Sequence, residues 1–199
     1  MSKRNEILNA VIQKSNCCIS PNELTISSVA KAAGVGKSTV YEYFPSKEEM
    51  LAEALVYFID ESISSIAGIS GDYTFYGGFC AVTQKMLETF QNNHSFFQLV
   101  FISGMTEEYA QALSGRLSEK CEELTGRMLT LLRQLIALGK AEGVINGEPE
   151  DVDILFAFSC ILSVFNCQSS GLFPGKLFSK TDAEESYRFL FSKFIKLLS

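Results

Sequence analysis

Thr25–Lys47, TISSVAKAAGVGKSTVYEYFPSK, reads as two short helices joined by a glycine turn and closed by a proline. Thr25 is placed to cap the first helix, with Ile26, Val29, Ala30 and Ala33 on its inward face. Gly34 can take the left-handed backbone that ends a helix, and Val35 can tuck under the turn. Gly36 opens the next helix, in which Val40 and Phe44 point inward and Lys37, Ser38, Thr39, Tyr41 and Tyr43 lie nearer the outside. This arrangement is a helix-turn-helix, whose second helix enters the major groove with its N-terminal residues on base edges.

Working outward, Ile7, Leu8, Val11 and Ile12 form one stripe of a supporting helix over Asn5 to Ser15, and Asn16 to Leu24 is a loop around Pro21. On the other side Pro45 stops the reading helix, and Ser46-Lys47-Glu48-Glu49 has the spacing of a capping box. The helix it starts continues through Leu51, Leu55, Phe58, Ile59, Ile63 and Ile66 without a flexible linker. A helix shared in this way is a stiff lever, by which movement in the body reaches the head. Residues 1–47 are read as a DNA-binding domain and 48–199 as a helical regulatory and dimerisation domain.

The rest of the chain repeats helical spacing. Gly68 to Gly78 reads as a break before a helix carrying Phe79, Val82, Met86 and Phe90; SFFQLVFIS (95–103) is apolar on nearly all sides. Thr106 to Ala141 reads as one long helical region that Gly115 and Gly126 could bend. Pro149, Glu150 and Asp151 suit a helix start, since proline fits the first turn and acids fit the positive end of the dipole. That helix runs to about Ser169, and a last one begins at Asp182. About nine helices and no strand series make the fold class all-α.

Charge is divided unevenly. The 199 residues carry a net charge of −6, yet residues 1–47 hold six bases against three acids, a net +3 that leaves −9 on the remainder. A mildly basic head on an acidic body presents one face to phosphate and repels it elsewhere. Six cysteines without CxxC spacing and a single histidine, His94, supply no zinc pattern; they read as free thiols in a reducing compartment. The N-terminus has no apolar signal core, and the most apolar run, Val152 to Cys167, is interrupted by Asp153 and Asn166 and is shorter than the ~20 residues of a membrane span. A soluble, cytoplasmic protein without cofactor, metal or membrane contact is expected.

GVGKST also imitates the end of a phosphate-binding P-loop, the signature of an NTPase. That motif needs a glycine five residues before Gly36, where this chain has Lys31, and a preceding strand where this chain has a helix. No catalytic set emerges either, because His94 has no serine or cysteine partner near it in sequence. The chain does not read as an enzyme.

The segment TISSVAKAAGVGKSTVYEYFPSKEEML resembles the head of the tetracycline-repressor (TetR) family of bacterial transcriptional regulators; the body is similar in helix order and in the turn EGVINGEPEDVD. The resemblance implies a homodimer that binds a palindromic double-stranded operator, usually as a repressor, and lets go when a small molecule enters the helical body. It implies that Lys37, Ser38, Thr39 and Tyr41 approach the groove while Thr25, Tyr43 and Lys47 hold phosphates, a division that suits hydroxyls, amines and helix-start N–H groups. Two departures stand out. The loop Asn16 to Leu24 is longer than usual and lacks the customary glycine, and Gly36 replaces a common serine, removing a side-chain cap worth a few tenths of a kcal/mol.

Proteins of similar fold enclose a cavity, and here Phe79, Met86, Phe90, Phe97, Phe101, Met105 and Phe158 are expected to line one for a flat, apolar or aromatic effector without a strong preference for either charge. The dimer is expected to form through the last two long helices, with Leu155, Phe158, Leu162, Phe165, Tyr187, Phe191 and Phe194 at the interface. Two-fold symmetry then requires an inverted repeat with half-sites about 34 to 36 Å apart. A regulator without an inducer, governed by a protein partner or acting as an activator, is the alternative.

Overall fold

The computed structural model describes residues 2–17, 24–67, 73–103, 106–169 and 183–198, with the side chains of 101–103, 165–169 and 183 excepted. The described residues form ten helices: α1 (Lys3–Cys17), α2 (Ile26–Ala32), α3 (Lys37–Tyr43), α4 (Lys47–Ala67), α5 (Phe75–Asn92), α6 (His94–Ser103), α7 (Glu107–Ser114), α8 (Ser118–Ala141), α9 (Asp151–Ser169) and α10 (Ala183–Leu197). The all-α class is as expected, and the architecture carries an N-terminal helix-turn-helix.

Two boundaries differ from the sequence reading. Gly77 and Gly78 lie inside α5, where a break was expected, because the start of this helix is secured from outside it. The Phe75 N–H donates to Glu142 Oε1 at 2.6 Å and the Gly77 N–H to Thr74 Oγ1 at 3.1 Å. The long region from Thr106 is two helices. Gly115 caps α7 with φ −99° and ψ −103°, a backbone that a helix cannot continue, and α8 starts after Leu117.

The chain forms two compact units, and the divisions fall inside α4 and α8 and before the last residue of α5. One unit comprises Met1–Ser62 and Asn92–Leu124. In it α1 packs on α2 and on α6, and α2 on α3. Ile7, Leu8, Val11, Leu24, Val29, Val40, Phe44, Met50, Leu51 and Phe96 are fully or almost fully buried there. Asn16 replaces a local cap for α6: its Oδ1 accepts from the Phe96 N–H at 3.2 Å while its Nδ2 donates to Asn93 Oδ1 at 2.8 Å.

The second unit comprises Ile63–Gln91 and Thr125–Ser199. Phe75, Phe79, Leu132, Leu135, Ile136, Ile154, Phe158, Ile161, Leu190 and Phe194 make its core. Phe191 sits among Phe75, Tyr76 and Phe79 with ring centroids 5.0, 5.0 and 5.2 Å away, and Phe79 also meets Phe194 at 5.2 Å. Tilted and edge-on pairs of this kind add about 0.5–1.5 kcal/mol each beyond their buried area.

Candidate nucleic-acid interface and effector cleft

The reading head is assembled by local bonds that the sequence makes possible. Thr25 caps α2 with its hydroxyl accepting from the Ser28 N–H at 3.1 Å, and Ser28 Oγ accepts from the Thr25 N–H at 3.0 Å, so Ser28 completes a capping box. At the other end Gly34 has φ +68°, the Gly34 N–H donates to Lys31 O at 3.4 Å and the Val35 N–H to Ala30 O at 3.0 Å. These two bonds form a Schellman motif, which satisfies carbonyls that the end of α2 would otherwise strand. Gly36 starts α3 without a side-chain cap, as its lack of a hydroxyl dictates.

Within α3, Val40 and the closing Phe44 are completely buried and hold the helix against the head. Lys37, Ser38, Tyr41 and Tyr43 are exposed, with Tyr41 at 54% and Tyr43 at 37%, and Thr39 is half-buried. Thr25 is exposed at the start of α2, and Lys47 is half-buried at the start of α4. Lys31 and Lys37 carry no ion pair among the described residues, whereas Arg4, Arg116, Lys120, Arg133, Lys140 and Arg188 all do. Lys31 and Lys37 thus sit beside the outward side chains of the helix-turn-helix, available to phosphate.

Behind α3 lies an acid that sequence reading passed over. Glu53 on α4 is buried and pairs with Arg4 of α1 and with Arg116 between α7 and α8. Burial pushes its pKa up, the two arginines and a hydrogen bond from Arg116 pull it down, Glu49 adds a small upward push, and burial prevails. Arg116 also reaches Glu49 Oε2 at 3.1 Å. Nothing local in KEEMLAEAL marks Glu53 as different from its solvated neighbours; the signal lies in arginines 49 and 63 positions away.

The second unit holds a cleft of about 510 Å³ lined by Ile66, Tyr73, Gly78, Val82, Leu135 and Leu138, with Thr74, Gln134 and Glu142 as its polar members. It differs from the expected pocket. Phe79, Met86, Phe90 and Phe158 belong to the apolar cluster of this unit and are not among the lining residues. Phe97 belongs to the other unit, edge-on to Phe58 at 5.2 Å, and the Phe101 side chain and Met105 lie outside the described residues. The phenylalanines are spent on packing; the cleft is walled by aliphatic side chains and by the rim residues Tyr73 and Leu138, 39% and 36% exposed.

The expected interface residues divide in the same way. Phe158 and Phe194 are buried within the core, Leu155, Leu162, Tyr187 and Phe191 are half-buried, and the Phe165 side chain is outside the described residues. Among the described residues, the exposed large apolar side chains of α9 and α10 are Val152, Phe156, Phe189 and Leu197.

Residues 20–54, which span the whole helix-turn-helix, match the model of the bacterial regulatory proteins of the tetR family. The helix-turn-helix head is that of the TetR family of DNA-binding transcription regulators. Among curated TetR-family relatives, the chain is 28% identical over 159 residues to the nucleoid occlusion factor SlmA of Photobacterium profundum, covering 78% of this chain and 77% of that one. With the SlmA of Aliivibrio fischeri the identity is 38% over 64 residues, 32% of each chain. A TetR transcription regulator from Haloarcula marismortui superposes with a TM-score of 0.67 at 17% identity, covering 99% of this chain and 98% of that chain. The fatty acid degradation regulator FadR of Bacillus halodurans superposes with a TM-score of 0.61 at 19% identity over 94% and 96%. Both share the fold. No helix among the described residues is long and apolar enough to cross a membrane.

Proposed function

We propose that the protein is an effector-responsive repressor in the cytoplasm, binding an inverted-repeat operator as a homodimer and released by a small, largely apolar molecule. The observation that carries this reading is the outward face of α3, where Lys37, Ser38 and Tyr41 stand exposed over the buried anchors Val40 and Phe44. Lys37, Ser38, Thr39 and Tyr41 read base edges, and Thr25, Tyr43 and Lys47 take phosphates. The functional division falls at residue 47, with 48–199 serving regulation and dimerisation.

The dimer face is drawn from side chains left exposed: Val152 and Phe156 on α9, four residues apart and hence on one stripe, and Phe189 on α10. Phe156→Ser should raise the dimer dissociation constant in sedimentation analysis without unfolding the chain, whereas Phe158→Asp should unfold it because Phe158 is buried. The effector site is the cleft bounded by Tyr73 and Leu138. Among the described residues its lining has one carboxylate, Glu142, and no basic side chain, which favours neutral or cationic molecules over anions. The test is footprinting of the purified protein on its own upstream DNA: protection of an inverted repeat is expected, and its absence at low salt would remove the central claim.

A second reading comes from the SlmA relatives, whose match extends across most of the body as well as the head. In it the chain binds many chromosomal sites and acts in nucleoid occlusion, governed by a protein partner. Chromatin immunoprecipitation separates the two: a few promoter peaks support the repressor, and sites dispersed over the chromosome support the second reading.

A further inference from the structure

Among the described residues of the first unit Glu53 is the buried acidic side chain, 2% exposed, and it lies within a continuous set of contacts. Arg116, in the turn between α7 and α8, pairs with Glu53 and with Glu49 one helical turn earlier on α4. Arg4 on α1 pairs with the same Glu53, and its guanidinium lies over the ring of Phe44, 5.8 Å from the centroid. Phe44 closes α3 and is completely buried. A side chain 72 positions further on is thus linked to the end of the reading helix through one carboxylate. Close by, Lys120 in the first turn of α8 meets Asp60 of α4 at 3.1 Å, a second tie from this stretch of chain to α4.

We infer that Arg116 is a positioning residue for DNA recognition, holding α4 and α1 in the arrangement that presents α3 to the groove. The inference rests on reading α3 as the DNA-contacting helix. Its physical basis is the asymmetry of buried charge: a carboxylate out of water needs its counter-charges, and removing one leaves a group that must draw in water or pull its remaining partner closer. The remaining partner is Arg4. Any shift of Arg4 moves a cation away from Phe44, and with it the seat of α3. Arg116 itself is half-exposed, so its own loss opens no cavity in the core, and the effect passes through Glu53.

The test uses the full chain and a duplex that the wild-type protein enriches from a randomised library, beside a random-sequence duplex of equal length. Arg116→Gln should weaken binding to the selected duplex by about tenfold, while binding to the random duplex at low salt, which needs charge and not orientation, changes by less than about threefold. Active fractions are set by stoichiometric titration, so partial unfolding does not count as weaker binding. In Glu53→Gln/Arg116→Gln the buried group is neutral and needs no counter-charge, and affinity for the selected duplex should return to within about threefold of wild type. Wild-type affinity in Arg116→Gln overturns the assignment. Equal loss in the single and double variants overturns it too, since the effect would not pass through Glu53. If the wild-type chain enriches no duplex, the reading of α3 fails first and the positioning role goes with it.

Discussion

Gly34 and Gly143 form a matched pair for testing what the helix-turn-helix geometry is worth. Both end a helix in the left-handed region, at φ +68° and +69°, and both are followed by the same pair of bonds. The Gly143 N–H donates to Lys140 O at 3.0 Å and the Val144 N–H to Gly139 O at 2.8 Å, repeating the motif at Gly34. An added methyl group would meet nothing within 4 Å at either site, so an alanine substitution changes backbone strain alone. A left-handed alanine costs about 1–2 kcal/mol, and the stiffer unfolded chain returns about 0.4–1 kcal/mol. The net loss should be about 1 kcal/mol at each position. With a urea dependence of about 2 kcal/mol/M, the unfolding midpoint falls by about 0.5 M in both variants at equal protomer concentration. Their effects on DNA should part. Gly34 sets the angle between α2 and α3, so Gly34→Ala should also lower operator affinity by about tenfold as the turn relaxes, and Gly143→Ala should leave it unchanged when each is corrected for folded fraction. Fluorescence anisotropy on the selected duplex reads this directly. Equal loss of affinity in both variants, or none in Gly34→Ala despite the stability loss, would refute the claim that this turn aims the reader.

Three further outcomes can be measured. Lys37→Gln should flatten the dependence of log affinity on log salt by about 0.9 per protomer, the effect of one phosphate contact; an unchanged slope would place Lys37 away from the backbone. Because the pKa of Glu53 is raised on folding, folding takes up a proton at this group as pH falls from the raised value to the ordinary carboxylate range. The group's contribution to stability therefore rises across that window on acidification. The stability difference between wild type and Glu53→Gln, followed by urea unfolding, should shift in favour of wild type as pH falls there; a difference flat in pH contradicts the shift. Gly139→Ala would bring a methyl group 2.8 and 2.9 Å from the Phe75 ring and 3.0 Å from Ile145 Cδ1. Overpacking costs about 1–3 kcal/mol against about 1 kcal/mol of helix propensity regained, so the urea midpoint should drop, and a rise would mean that the ring yields freely.

The head was legible in the sequence because its structure is local. A cap, a left-handed glycine and a proline stop act within a few residues, and Thr25, Gly34 and Pro45 each stand where their chemistry is needed. The body was legible as helices but not as faces. VDILFAFSCIL is apolar on more than one side, and only packing shows that Ile154, Phe158 and Ile161 turn inward while Val152 and Phe156 are left out. The start of α5 was missed because it depends on Glu142, 67 residues away, to hold the first N–H of a helix that begins Phe-Tyr-Gly-Gly. Glu53 was missed for the same reason: long-range counter-charges leave no periodic trace. The cleft does not lie where the aromatic residues gather, since rings that pack well on one another, as Phe75, Phe79, Phe191 and Phe194 do, fill space instead of enclosing it.

The glycines of α5 and α8 bear on how the cleft can respond. Gly78 of α5 admits the Leu135 side chain of α8, and Gly139 of α8 admits the Phe75 ring of α5, so each helix carries one notch and one tooth. Sliding either helix by a single residue would drive both teeth out of their notches together, much as meshed gears resist slipping. The two helices are therefore expected to move as one strut, and a molecule bound at the proposed effector site would gain room from the rim side chains Tyr73 and Leu138 and not by prising the helices apart. Thin molecules would fit such a slot, thick ones would meet a wall that does not give, and selectivity by thickness would follow from two missing methyl groups.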